Sequence, residues 1–105
     1  MLERDFQADT IKRIKRMLPG VVLLKNDSGY IQGVPDFTIF YGCTWAWLEF
    51  KQSANARTQP NQEYYIDLAN HRMRAFGAFI FPENRDEVLQ DLKTYFDLKR
   101  LKTDY

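Results

Sequence analysis

Apolar residues recur with helical spacing from Leu2 to Leu18. Leu2, Phe6, Ile11, Ile14, Met17 and Leu18 fall on one half of a wheel turning about 100° per residue, and Pro19-Gly20 then breaks the run. Val21 to Lys25 reads as a short strand, and Asn26-Asp27-Ser28-Gly29 as a loop. Gly33 to Lys51 predicts a hairpin rich in strand formers: Phe37, Ile39, Phe40, Trp45, Trp47, Leu48 and Phe50. Ser53 to Gln59 is polar and loop-like, and Pro60 suits the first turn of a helix. That helix is expected to run to about Ala75, ending before Gly77, with a strand over Ala78 to Phe81. Asn84, with Glu87 three positions on, predicts a capping box for a last helix that carries Val88, Leu89, Leu92, Tyr95 and Phe96 on one side and fades into a basic tail. The string αβββαβα predicts an α/β layer fold, a mixed central sheet flanked by helices.

Three residues do not suit so apolar a hairpin: Asp36, Glu49 and Lys51. A Gly-first two-residue turn at Gly42-Cys43 sets Asp36 directly across from Glu49. Side chains alternate along a strand, so both carboxylates and Lys51 share a face with Trp45 and Trp47. Opposed Cβ atoms lie about 4.5–5.5 Å apart, where two carboxylates repel unless something positive stands between them. Two answers are open: an ion pair with Lys51, or a divalent cation such as magnesium, which takes hard oxygen ligands.

The first helix adds a second anomaly. Glu3, Gln7 and Thr10 project into its apolar half, with Arg13 near the edge. Polar groups in a core-facing stripe are costly unless paired. Either Glu3 is solvated near the helix N-terminus, or its carboxylate and the Gln7 amide, both aimed at the sheet, contribute to the hairpin's site.

The chain has 105 residues, which predicts one domain spanning 1–105. Hydrophobic residues at 45% and charged ones at 28% belong to an ordinary globular composition. No apolar run approaches the roughly 20 residues that span a bilayer, and no secretory signal precedes the first polar helix. A lone cysteine, Cys43, excludes an internal disulfide and a multi-cysteine zinc site. A cytoplasmic protein with no membrane partner is expected. The net charge of +1 decides little, because Lys12, Arg13, Lys15 and Arg16 form a basic block that is either a solvated helix face or a phosphate contact. Lys25, Arg57, Arg72 and Arg74 are similar candidates. His71 is expected at the surface or in helix packing, Cys43 to be incidental, and Tyr64 and Tyr65 to pack.

Pro35-Asp36 followed by Glu49-Phe50-Lys51 resembles the PD-(D/E)xK nuclease superfamily. Glu3 with Gln7, the segment Gly33-Val34-Pro35-Asp36, and Gln62 opening the next helix make the chain similar to its VRR-NUC branch. The stretch Gln59 to Tyr65, with Phe81-Pro82-Glu83-Asn84, is similar to small phage proteins described as Holliday-junction-resolvase-like. The likeness runs from Glu3 to about Phe96. It implies a restriction-endonuclease-like core and metal-dependent hydrolysis of DNA, in the host cytoplasm for a phage-encoded chain. It further implies that Asp36, Glu49 and the Phe50 carbonyl hold Mg²⁺ or Mn²⁺, with Glu3 a further acidic ligand. Lys51 would position the attacking water and Gln62 would orient Lys51 or contact the scissile phosphate, giving a 5′-phosphate and a 3′-hydroxyl. Lys12, Lys15, Arg16, Lys25 and Arg57 would contact DNA.

The reading that follows is a structure-selective endonuclease for branched DNA. Its alternatives are a general nuclease acting on linear DNA and a non-catalytic nucleic-acid-binding module. Sequence-specific restriction is disfavoured, since 105 residues leave no separate target-recognition domain. Two cuts in a four-way junction suggest a homodimer. Sixteen aromatics (eight Phe, six Tyr, two Trp) are many for one core, and Trp45, Phe79 and Tyr95 are candidate interface residues.

Overall fold

The structure, a computed structural model, describes residues 2–103, with side chains as far as residue 99. Its elements are α1 (Glu3–Met17), β1 (Val22–Lys25), β2 (Phe37–Tyr41), β3 (Thr44–Phe50), α2 (Pro60–Asp67), β4 (Phe76–Ile80) and α3 (Arg85–Thr103), so the order αβββαβα is the one expected. The strands form one mixed sheet in the order β1-β2-β3-β4, antiparallel except for the parallel β3–β4 pair. The crossover between those two parallel strands is made through α2.

Side-chain alternation divides the sheet into two unlike faces. Phe37, Ile39, Ala46, Leu48, Phe50 and Ile80 bury themselves under α1 and α3, which contribute Phe6, Ile14, Val88, Leu89, Leu92 and Phe96 to one core. Each such side chain removed from water contributes about 1.5–3 kcal/mol, so this face dominates the stability. Arg85, at the start of α3, clamps α1 by an ion pair to Asp9 (2.9 Å) and by lying over the Phe6 ring. Thr10, one of the polar residues projected into the core, returns its hydroxyl to the Phe6 carbonyl of its own helix at 2.7 Å and takes no part in the site.

The opposite face carries Trp45, Trp47 and Glu49, covered in part by α2 through Tyr65, which packs edge-on against Trp47. Tyr65 therefore packs as expected, while Tyr64 beside it is exposed.

The second helix departs from its predicted extent. It is α-helical only to Asp67, widens into a π-helical turn over Leu68–Arg72, and ends there with Met73 as its cap, before Arg74, which takes a positive φ of 52°. Gly77 is not its stop signal but the buried second residue of β4, which starts at Phe76, two positions before the start expected at Ala78. A Cβ there would come within 3.1 Å of the Ala69 Cβ and 3.2 Å of the Ile66 carbonyl oxygen. Glycine at 77 thus lets α2 lie close on the sheet. Asn70 then satisfies the outer edge of β4, donating to the Gly77 carbonyl (2.8 Å) and accepting from the Gly77 N–H (2.9 Å).

Asn84 does not build the expected capping box. Its carboxamide turns back to accept from the Phe81 N–H and to donate to the Phe79 carbonyl, fastening the exit from β4. The reciprocal box appears instead at α2, between Gln59 and Gln62. The basic tail expected at the chain end lies outside the described side chains.

Candidate active site

The hairpin delivers its charged residues as the turn predicts. Gly42 takes φ 63° at the first central position, and Tyr41 pairs with Thr44 and Phe37 with Leu48. One step beyond the ladder, Asp36 and Glu49 meet through the backbone. The Asp36 N–H donates to Glu49 Oε1 at 3.1 Å, and the Phe50 N–H donates to Asp36 Oδ2 at 2.8 Å. Asp36 is also tied on its other side, its carbonyl accepting the Asn26 N–H at 2.8 Å.

Asn26 is the residue that sequence reasoning missed. Its side chain donates to the Pro35 carbonyl and to Thr38 Oγ1, both at 2.9 Å, and the Trp47 indole N–H ends on the same hydroxyl. Its signal was available: extending the β1–β2 register one step past Lys25 and Phe37 places Asn26 opposite Asp36. Read only as loop punctuation, it lost that meaning.

Glu49 is buried, 5% exposed, on the Trp45–Trp47 face. Burial pushes its carboxyl up to about 7, and the Asp36 charge adds to the rise against the opposing pull of Lys51 and the Asp36 N–H, with Glu3 raising it further. Burial also raises Asp36, against the pull of the Phe50 N–H, Lys25 and Lys51. The protein's own cations therefore leave the two carboxylates under-compensated.

Lys51 does not form a simple ion pair. Its ammonium lies 3.9 Å from Glu49 Oε2 but 2.6 Å from Gln62 Oε1, with a longer bond to the Arg57 carbonyl at 3.3 Å. Gln62 stands between: its Oε1 also accepts the Gln59 N–H of the capping box, and its Nε2 donates to Glu49 Oε2 at 3.0 Å. Two donors converging on one atom fix which end of the carboxamide is oxygen. The start of α2 is thus built into the site, and Gln62 orients lysine and glutamate at once. Gln62→Ala is expected to remove that cap and cost about 1 kcal/mol of stability, read as a shift in denaturant midpoint at unchanged slope.

Of the remaining candidates, Lys25 and Glu3 come within electrostatic reach of the pair. Glu3 is exposed on the first turn of α1, drawn near the sheet end because Phe6 packs its ring against Phe50. It does not complete a ligand cluster: among the described residues no group of three His, Cys, Asp or Glu side chains is gathered to hold a metal. Phe50 keeps its ring in the core against Phe6 and Phe37 while its backbone faces Asp36. Lys12, Lys15 and Arg16 are exposed on α1, roughly 13–20 Å along the helix from Glu3 at about 1.5 Å per residue. They lie outside the cluster. Arg57 is exposed and contributes its carbonyl. His71 is exposed beside Asp67, and Cys43 is exposed and free in the hairpin turn.

The donor set is of the kind a divalent cation takes. Asp36 Oδ1 makes no hydrogen bond in the cluster, the Asp36 charge helps raise the Glu49 carboxyl, and a magnesium site needs only one or two carboxylates when phosphate oxygens and water complete it.

Two of the interface candidates have partners within the chain. Tyr95 bonds Thr44 Oγ1 and the Trp45 carbonyl, both at 2.8 Å, and Phe79 lies beneath Lys51. The apolar side chains left most open on this face are Val22, Leu24 and Phe40, on the half of the sheet away from α2.

No family model, curated protein or solved structure matches the chain. No helix among the described residues is long and apolar enough to cross a membrane.

Proposed function

We propose that this chain is a metal-dependent DNA endonuclease with a restriction-endonuclease-like core, selective for branched DNA. The observation that carries the reading is the contact chain Asp36–Glu49–Gln62–Lys51: two under-compensated carboxylates joined through one carboxamide to a 12%-exposed lysine side chain. A purely structural pair would be closed by its lysine, whereas here glutamine holds that lysine off.

Mg²⁺ or Mn²⁺ would be held by Asp36, Glu49 and the Phe50 carbonyl, with Glu3 acting from the rim. When bound it supplies charge neutralisation at the phosphate and lowers the pKa of coordinated water. Lys51, held by Gln62, donates to the attacking water and neutralises charge that grows on the phosphate as the P–O3′ bond breaks. Water adds to phosphorus and gives up one proton to solvent, while the departing 3′-oxygen takes one proton from solvent, leaving a 5′-phosphate and a 3′-hydroxyl. Lys25 and Arg57 flank this centre, and Lys12, Lys15 and Arg16 offer a more distant phosphate contact that positions the duplex without reading its sequence.

Cutting a four-way junction on two strands calls for two such sites, which a two-fold homodimer supplies. The open Val22–Leu24–Phe40 patch is the apolar surface left for a second copy. Four-way junctions, flaps, linear duplex and single strands incubated with and without Mn²⁺ test the proposal. Metal-dependent cleavage with branched DNA preferred is expected; full activity in excess chelator would sink it. Equal cutting of linear duplex, with a monomer by sedimentation on the junction, would leave only a general nuclease.

A further inference from the structure

Beside the acidic cluster lies a cleft of about 290 Å³, between the loop that follows β1 and the first turn of α2. That volume sits at the small end of ligand sites, which run from about 300 to 1,000 Å³, and it suits one ring system rather than a helix end. Resting on the nuclease reading, we infer that this cleft receives one unpaired nucleobase of the DNA beside the phosphate being cut.

The lining is chemically unlike a phosphate site. Ser28, Gln32, Gln59, Asn61 and Gln62 supply a hydroxyl and carboxamides, with the Pro60 ring and the Gly33 backbone, and no ionised side chain. Carboxamides carry donors and an acceptor together, as do the edges of bases. Gln59 and Gln62 are committed to the capping box, whereas Ser28, Gln32 and Asn61 make no side-chain hydrogen bond within the described protein. Three polar groups are thus free to read a ligand. Gln62 forms the wall shared with the site, since its carboxamide touches Glu49 and Lys51. A base held there is close to the reacting phosphate.

The walls are already in place. Gly33, at φ 86°, lies so close to α2 that a Cβ there would collide with the Asn61 Cβ. Asp27 folds the loop, accepting the Gly29 N–H on its side chain (2.8 Å) and the Tyr30 N–H on its carbonyl (3.1 Å). Little ordering remains to be done on binding. Tyr30 is 85% exposed on the same loop and offers a ring on which a neighbouring base can stack.

Selectivity follows from energetics. Drawing a base out of a duplex costs stacking and pairing energy, and least where the base is already unpaired. The cleft thereby prefers junctions, flaps and single strands without recognising a sequence.

The test places 2-aminopurine singly at each branch-point and unpaired position of a flap and reads its fluorescence on binding to the Lys51→Ala protein. A several-fold rise at one position is expected, and Gln32→Ala with Asn61→Ala, added to that protein, should abolish it. In the protein with Lys51 intact, the same two substitutions should lower the flap-to-duplex cleavage ratio about tenfold, with the thermal midpoint unchanged. Cleavage of flap DNA with no rise at any position overturns the inference, as does a rise that survives both substitutions. A rise lost on substitution, in a protein that cuts no DNA with Mn²⁺, removes the nuclease reading and leaves the base site standing.

Discussion

Lys51→Ala is expected to slow DNA cleavage on the order of 10²–10³-fold, the usual loss when one aligned donor to developing charge is removed, while fold and DNA affinity stay nearly intact. Gln62 would still accept the Gln59 N–H and donate to Glu49, so the cap of α2 survives the substitution. Affinity changes little because Lys51 is one of fifteen Lys and Arg residues and is mostly buried. Lys51→Arg should be almost as slow. A planar guanidinium presents its donors as a fork, and Gln62 Oε1 at 2.6 Å leaves room for a compact ammonium. Single-turnover cleavage, with binding by fluorescence anisotropy, checks both. A Lys51→Ala protein cutting near the wild-type rate would show that Lys51 merely balances Glu49.

What the chain revealed in advance depended on how local each cause was. The hairpin was legible because a glycine at a tight turn sets the register of everything beside it, and from that register alone Asp36 meets Glu49. Gln62 was noticed through a family likeness, although its capping box with Gln59 is a purely local pattern. Gly77 was misread because a glycine that ends a helix and a glycine that admits a close neighbour look the same in sequence; only Ala69 and Ile66, packed above it, tell them apart. The π-helical turn has the same origin, a tertiary demand that lets Asn70 reach the β4 edge. Thr10 projects into the apolar half of α1, yet a buried threonine can satisfy itself on the preceding helical turn. Tyr95, an interface candidate on abundance of aromatics alone, bonds from α3 to Thr44 and the Trp45 carbonyl of β3, contacts that no local pattern announces. Side-chain partners from distant segments were the part least visible.

The metal-free protein is expected to lose stability as pH rises from about 4.5 through about 7. The Glu49 carboxyl moves from an ordinary 4.5 to about 7 on folding, chiefly through burial and then through Asp36. A raised folded-state pKa means that the folded protein binds the proton more tightly. The associated stability is fully present below about 4.5 and is lost as pH climbs through about 7. At 1.36 kcal/mol per pKa unit the loss is on the order of 3 kcal/mol, and Asp36, also raised, moves it the same way. Asp36→Asn should remove the repelling charge while its carboxamide oxygen still accepts the Phe50 N–H. At pH 8 that variant should be more stable than the metal-free wild type, because the Asp36 charge is, after burial, the largest cause of the Glu49 rise, and the advantage should shrink toward pH 4.5. Mn²⁺ should reverse the wild-type trend, because the cation binds the ionised pair and its affinity grows as the protons leave. For Asp36→Asn, calorimetry should detect no Mn²⁺ binding and cleavage should be lost. Denaturant midpoints across pH, with and without metal, give the comparison. If the wild type and Asp36→Asn trace parallel curves and bind Mn²⁺ alike, then Asp36 and Glu49 are not the coupled acidic pair on which a metal-dependent mechanism depends.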